Sequence, residues 1–371
     1  MSPSINPRFQ KYKFRLYILP LVLLIALTGG CSGQSAGAGN KGNEHPSAAA
    51  TGATGNSGTA QAEPAAAVPE ETVDLSGVTL RVGQTGWGNY EAGLKAAGLL
   101  DTSYKVKFSV FQGGNLQLEA MAADQLDLGL TSEIPPIFAS QAVGGGNFKV
   151  VAVMEANTLL QELVVPGGSP ISSVAELKGK KVGYVSSTTA EYFLVEILKE
   201  AGLAWSDIEP VQLSTADGLT ALIGGNIDAL ASYGNAIITA HQKGATTLAS
   251  ARDILSGNFL VCASLGAITD PGQHAAIADF LGRLNQFYDW SRDHQEQWAQ
   301  ITADNTHQPL EQALSTFKDG EQQKQTRIIP TTPEGIQSEQ KVADALLLVG
   351  SLKGKIDVGV YWSTDFNSEI R

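Results

Sequence analysis

Five short stretches of this chain gather small polar residues at places where an apolar run gives way to a helix-like pattern. Ser186-Ser187-Thr188-Thr189 is the densest, with four hydroxyl residues in a row. A helix N-cap needs only one. Gly113-Gly114-Asn115, Thr131-Ser132-Glu133, Ser232-Tyr233-Gly234-Asn235 and Gln84 to Tyr90 stand in the same setting, and none of the five contains Lys or Arg. What they offer is hydroxyls, amides and the free N–H groups of helix starts, a donor set that suits a small anion. In a dry cleft each charge-assisted bond to such a donor contributes about 1.5–3 kcal/mol. The candidate ligand-binding residues are therefore Gln84, Trp87, Gly113, Gly114, Asn115, Thr131, Ser132, Glu133, Ser186, Ser187, Thr188, Thr189, Tyr233 and Asn235. Trp87 and Tyr90, aromatics among Gly and Asn, read as a cleft wall. Glu133 runs against the set, because a carboxylate beside a bound anion is repulsive unless the ligand also carries a cation or the acid is held by backbone N–H groups.

The elements that must hold these residues are strands and helices in alternation. Lys105 to Val110 alternates, with Val106, Phe108 and Val110 facing one way, and reads as a strand. Gly113-Gly114 lets the chain turn, Asn115 can cap the following helix, and Leu118, Met121 and Ala122 form its apolar stripe. Leu126, Leu128 and Leu130 make a strand covered on both faces. Ile134-Pro135-Pro136 opens another helix with proline in its first turn. Successive strand ends thus bring polar residues and helix starts to one edge of a parallel sheet, where open α/β sheets bind ligands.

The unit occurs twice. Ala120 to Asp127 is echoed by Ala221 to Asp228, and the strand Leu128 to Leu130 by Ala229 to Ala231. The repeat predicts two similar α/β lobes. Ser186-Ser187-Thr188-Thr189 caps a long helix whose buried stripe is Phe193, Leu194, Ile197 and Leu198. Leu159 to Val165 and Asn258 to Ile268 read as two extended segments crossing between the lobes. Beyond Pro271 the chain is mostly helical, with Phe280, Leu284, Phe287 and Trp290 spaced for one buried face.

The whole chain has 371 residues and a net charge of -12, an acidity that argues against nucleic acid as a partner. No G-x-S-x-G, H-E-x-x-H, P-loop or metal-spaced cysteine pair is present. The five His are scattered and Cys262 reads as a small buried apolar residue, so no cofactor or metal is expected. At the N-terminus a basic stretch, Arg8 to Arg15, precedes the apolar run Leu16 to Leu27. That run is too short for a bilayer, which takes about 20 residues. Thr28-Gly29-Gly30 then leads to Cys31, and Ser32 to Glu71 is rich in Gly, Ala, Ser and Thr, the composition of a flexible tether.

The stretch ending at Cys31 resembles a bacterial lipoprotein signal, which implies that residues 1–30 are removed and Cys31 carries lipid. The folded body resembles the substrate-binding proteins of ABC importers in the aliphatic sulfonate, taurine and nitrate group. The resemblance rests on Phe111-Gln112-Gly113-Gly114, Thr131 to Phe138, Val165-Pro166-Gly167-Gly168-Ser169-Pro170-Ile171 and Glu176-Leu177-Lys178-Gly179-Lys180-Lys181-Val182. The combination of Gly113-Gly114 with Thr131-Ser132-Glu133-Ile134-Pro135-Pro136 is most similar to the aliphatic sulfonate branch. Where sulfonate binders carry Trp-Asp-Pro-Tyr, this chain has Tyr233-Gly234-Asn235-Ala236.

The resemblance implies a type II periplasmic-binding-protein fold with two crossing hinge strands and a ligand cleft between lobes. Residues 31–74 are then the tether, 75–158 and 269–371 the first lobe, and 159–268 the second. It further implies an extracytoplasmic, lipid-anchored monomer that hands a small organic anion, an alkane sulfonate, to a membrane permease and its ATPase. Taurine and nitrate are alternatives, with Glu133 a partner for the taurine ammonium. Enzymes of pyrimidine synthesis resemble the fold too, but their cysteine-rich motif is missing here, so the chain is read as a binder and not an enzyme. A surface sensor or adhesin is a third class.

Overall fold

The computed structural model describes residues 73–86 and 89–370. The leader, Cys31, nearly all of the tether and Trp87 lie outside the described residues. Within them the strands are β1 (Thr79–Thr85), β2 (Lys105–Phe111), β3 (Leu128–Ser132), β4 (Lys149–Glu155), β5 (Gln161–Val165), β6 (Lys181–Tyr184), β7 (Glu209–Gln212), β8 (Ala229–Tyr233), β9 (Thr246–Ser250), β10 (Asn258–Ala263) and β11 (Arg327–Ile329). The helices are α1 (Tyr90–Ala96), α2 (Gly114–Ala122), α3 (Ile134–Ala139), α4 (Thr189–Glu200), α5 (Thr215–Ile223) and α6 (Asn235–Gln242). They are followed by α7 (Leu265–Thr269), α8 (Pro271–Asp293), α9 (Gln295–Thr306), α10 (Leu310–Gln323) and α11 (Pro333–Leu348).

The strands form two sheets, one in the order β11-β4-β10-β3-β1-β2 and one in the order β7-β6-β8-β5-β9. In the first, β1 runs parallel to β2 and β3, and β10 is antiparallel to β3. In the second, β6 runs parallel to β7 and β8, and β5 is antiparallel to β8. Each sheet therefore has three parallel strands with the first in the middle of the trio, flanked by one strand of opposite direction. The sequence repeat is real in space: β3 and β8 hold equivalent places. Its two aspartates do the same work. Asp127 accepts from the Arg81 N–H at 2.8 Å on β1, and Asp228 from the Lys181 N–H at 2.8 Å on β6.

Both faces of each sheet are covered, as the near-continuous apolar strands require. Along β10, Phe259, Val261 and Ala263 pack on one side with α1 and α8, while Leu260 and Cys262 pack on the other with α2, α3 and α11. The second sheet divides likewise: Ala229, Ala231 and Tyr233 face α4, and Leu230 faces Ile237 of α6. Phe280, Leu284 and Phe287 of α8 are buried as expected, while Trp290 is only half-buried.

Several local expectations change. Asn115 does not cap α2: Gly113 is the N-cap and Asn115 lies inside the helix. Leu118 and Met121 are buried but Ala122 is exposed, and its place is taken by Gln117, whose amide bridges the N–H and carbonyl of Leu130 at 3.0 Å each. β2 is an edge strand, and its Val110 is 67% exposed. The crossings are also shorter than expected. Asn258 to Ala263 lies wholly in the first sheet and Gln161 to Val165 wholly in the second, so the chain passes between lobes over residues 156–160 and 251–257. The two crossings touch, with the Ala156 N–H donating to the Gly257 carbonyl at 2.9 Å. Gly257 has φ 73°, and a Cβ there would sit 2.6 Å from the Ala156 carbonyl, so only glycine fits.

Candidate functional site

The C-terminal ends of β1, β3, β6 and β8 converge between the two sheets. Among them is a space of about 50 Å³ whose walls include Gly114, Thr131, Ser132, Thr188, Thr189 and Tyr233. Six of the residues singled out from the sequence thus meet in one place, three on the first lobe and three on the second. The lobes touch here. A Cβ on Gly113 would lie 2.6 Å from the Tyr233 hydroxyl, and Thr215 Oγ1 donates to Gln112 Oε1 at 3.4 Å.

Tyr233 ends β8 and is 8% exposed. Its hydroxyl has no hydrogen-bond partner among the described residues. Burial pushes its ionisation up to about 12, so it is a neutral donor, with the nearby Thr188 hydroxyl acting in the opposite sense. The Thr188 proton is already committed, because Thr188 Oγ1 donates to the Val185 carbonyl at 2.7 Å while accepting from the Ala190 N–H at 3.2 Å. An unmet buried hydroxyl costs about 1–3 kcal/mol, which a ligand acceptor would relieve. Two helix starts border the same cleft without a side-chain cap, those of α2 after Gly113 and α6 after Gly234. Their first-turn N–H groups lack the side-chain acceptor that α1, α4, α5, α7, α8 and α11 have.

The hydroxyl run divides into two halves. Thr188 and Thr189 face the cleft, but Ser186 and Ser187 turn to Glu191, which accepts from Ser186 Oγ at 3.3 Å and from the Ser187 N–H at 2.7 Å. Ser187 has φ 58°, a left-handed conformation, and that bend is what hands its N–H to Glu191. An acid one turn into the helix has taken the place expected for the ligand.

Glu133 is 4% exposed and points to the hinge rather than across the cleft. Its carboxylate accepts from Ser256 Oγ at 2.5 Å and from Asn258 Nδ2 at 3.4 Å, at the end of the second crossing. Burial raises its ionisation, opposed by the Ser256, Ser338 and Asn258 side chains and by the Lys324 charge. Lys324 binds the same loop, donating to the Ser256 carbonyl and Asn258 Oδ1 at 3.0 Å each. This acid ties α3 to the crossing.

Gln84 is buried, and its Oε1 accepts from the Glu91 N–H at 3.1 Å, so it serves α1. Asn235 lies at the lip, in a separate space of about 310 Å³ shared with Val110, Gln112 and Thr215. The candidate residues named from the sequence left out Thr85, Leu130, Pro135, Met154, Gln161 and Phe259, which together with Tyr90 complete the walls of the central space. Thr85 was legible as a strand end. Gln161 and Phe259 sit beside the crossings, a position that could have marked them. Among the described residues no cluster of His, Cys, Asp or Glu could hold a metal ion. No helix among them is long and apolar enough to cross a membrane. Cys262 is fully buried, and burial holds its thiol well above the ordinary value.

Comparison with known proteins agrees with this geometry. Residues 104–265 match the family model described as NMT1/THI5 like. A protein of Escherichia coli (strain K12) described as aliphatic sulfonates-binding is 29% identical over 272 residues, covering 71% of this chain and 82% of its own. The crystal structure of the periplasmic aliphatic sulphonate binding protein of Escherichia coli superposes with a TM-score of 0.65 at 27% identity, covering 77% of this chain and 92% of that one. The alkanesulfonate-binding protein of Xanthomonas axonopodis pv. citri, solved bound to MOPS, shares the fold at a TM-score of 0.69 and 24% identity, covering 77% and 98%. The chain thus has the two-lobe periplasmic-binding-protein fold, matches the NMT1/THI5 like model over residues 104–265 and is similar to aliphatic sulfonate-binding proteins.

Proposed function

We propose that this chain is an extracytoplasmic solute-binding protein of an ABC importer and that it binds a small organic anion, an aliphatic sulfonate, in the cleft between its lobes. The observation that carries the reading is the Tyr233 hydroxyl, buried and unpartnered beside Thr131, Ser132, Thr188 and Thr189. The donors are neutral, so a strong acid that stays ionised is held by hydrogen bonds and by the N-termini of α2 and α6 rather than by ion pairs. Likeness to aliphatic sulfonate binders supports the choice of head group.

Closure works by hinge motion about residues 156–160 and 251–257, with ligand bonds to both lobes holding them together. Both oxygens of Glu133 are engaged with the second crossing, which favours a plain sulfonate over taurine. Lipidation of Cys31 and the tether would keep the binder beside its permease. A thermal-denaturation screen with methanesulfonate, taurine, nitrate and sulfate tests the function. A true ligand at 100 times its Kd adds about 2.7 kcal/mol to stability. Absence of a shift with every anion would reject the proposal.

A further inference from the structure

Next to the anion cleft lies a second space of about 170 Å³, roofed by α8, α9 and α10. The two spaces share four wall residues, Tyr90, Met154, Gln161 and Phe259. Beyond them apolar side chains, Ile238, Phe287, Trp298 and Phe317, alternate with polar ones such as Asn157, Thr302 and Thr316.

Several of the polar groups on its far side are already bonded to protein. Tyr288 Oη donates to Met154 Sδ at 3.0 Å and Ser291 Oγ to the Tyr288 carbonyl at 2.8 Å. Gln308 Nε2 donates to Thr306 Oγ1 at 2.8 Å, which in turn donates to the Thr302 carbonyl at 2.7 Å. Glu321 accepts from Thr326 Oγ1 at 2.6 Å and from Arg292 Nη1 at 3.2 Å. Such walls leave little for a polar guest to bind, and they suit an apolar one.

We infer that this space is the tail pocket of the ligand: with the acid head at Thr131, Ser132, Thr188, Thr189 and Tyr233, a phenyl ring or a chain of up to about six carbons passes Met154 and Gln161 into the cavity under α8 to α10. The size follows from the volume, since an apolar cavity of about 150 Å³ holds a benzene ring. The pocket draws walls from both lobes, with Ile238 on α6 and Phe287 on α8. A buried tail therefore adds to closure. Preference is thereby given to longer-chain and aryl sulfonates over methanesulfonate. This inference rests on the proposed anion cleft.

Calorimetry on the full chain with methane-, butane-, hexane- and benzenesulfonate tests it. Affinity should rise about fourfold for each added methylene up to six carbons, at about 0.8 kcal/mol per buried methylene. Thr302→Phe, on the α9 wall, should abolish that rise while leaving methanesulfonate binding unchanged, which also shows the variant to be folded. Thr316→Phe on α10 fills the same space if the first variant does not fold. Methanesulfonate binding with no gain from longer tails overturns the tail pocket and leaves the anion cleft standing. A gain that survives both filled variants places the tail elsewhere and also overturns it. No binding of any sulfonate overturns the anion reading itself.

Discussion

Gly113 and Gly114 are neighbours in sequence, and the structure gives them opposite consequences on mutation. Gly113 has φ −167°, an extended conformation open to any residue, so alanine introduces no backbone strain. Its Cβ would instead lie 2.6 Å from the Tyr233 hydroxyl on the other lobe, about 1 Å inside ordinary contact. Within its own lobe that Cβ meets only the Asn115 Oδ1 at 2.8 Å, the far end of a mobile side chain. Overpacking of this kind costs about 1–3 kcal/mol, and here the cost falls on the contact between lobes.

Gly113→Ala should therefore melt close to the wild type but bind an alkanesulfonate about 5- to 150-fold more weakly, at 1.4 kcal/mol per decade. Gly114→Ala should behave differently. Its Cβ would lie 2.7 Å from Thr131 Cβ and 3.0 Å from Thr131 Cα, inside one lobe. That clash lowers the melting temperature without ligand, by about 2–4 °C per kcal/mol. Calorimetry gives the affinities, thermal melts the stabilities, and small-angle scattering the compaction on binding. Wild-type affinity in Gly113→Ala would refute the reasoning that the close approach of Gly113 to Tyr233 across the cleft matters for binding. So would a loss of stability matching that of Gly114→Ala.

Three further outcomes are expected. Thr188→Ala should lower stability by about 1 kcal/mol through loss of the α4 cap, Thr189→Ala should lower affinity by about tenfold through loss of a hydroxyl lining the cleft, and Ser187→Ala should leave affinity unchanged; calorimetry showing a tenfold loss in the serine variant would return the anion to that turn. Glu339 is fully buried, accepts from Tyr361 Oη at 2.9 Å and Trp362 Nε1 at 2.6 Å, and burial raises its ionisation well above 4.5. It binds a proton more readily folded than unfolded, so its contribution is most favourable below that value and is lost as pH rises above it. Urea denaturation should therefore show the stability of Glu339→Gln gaining on the wild type between pH 5 and pH 8, and a gap that narrows with pH would contradict this. Cys31→Ser should release the protein from a salt-washed membrane fraction, and retention there would speak against a lipid anchor.

Much of the fold was legible because it is written in local patterns. Apolar runs bounded by glycine and hydroxyl residues marked β3, β6 and β8, and the twofold Ala120–Asp127 pattern gave the two lobes before any contact was known. The polar strand ends fall on one edge of each sheet for the same reason, since a parallel sheet puts all such ends on one side. What sequence could not rank was which polar side chains remain free. Ser186, Ser187, Thr188 and Glu133 look as available as Thr189 until Glu191, Val185 and Ser256 are seen to bond with them.

The sequence by itself determined the donor chemistry, the doubling of the lobe and the absence of cationic partners at the strand ends, because these depend on residue type and periodicity. Only the tertiary structure decided that Gly113 meets Tyr233, that Glu133 serves the hinge, and that Met154 and Phe259 line both the cleft and the neighbouring space under α8 to α10. The physical reason is that a hydrogen bond or a cavity wall is made by groups far apart in the chain. Glu133 and Ser256 are 123 residues apart, and only packing shows which distant donor reaches an acceptor first.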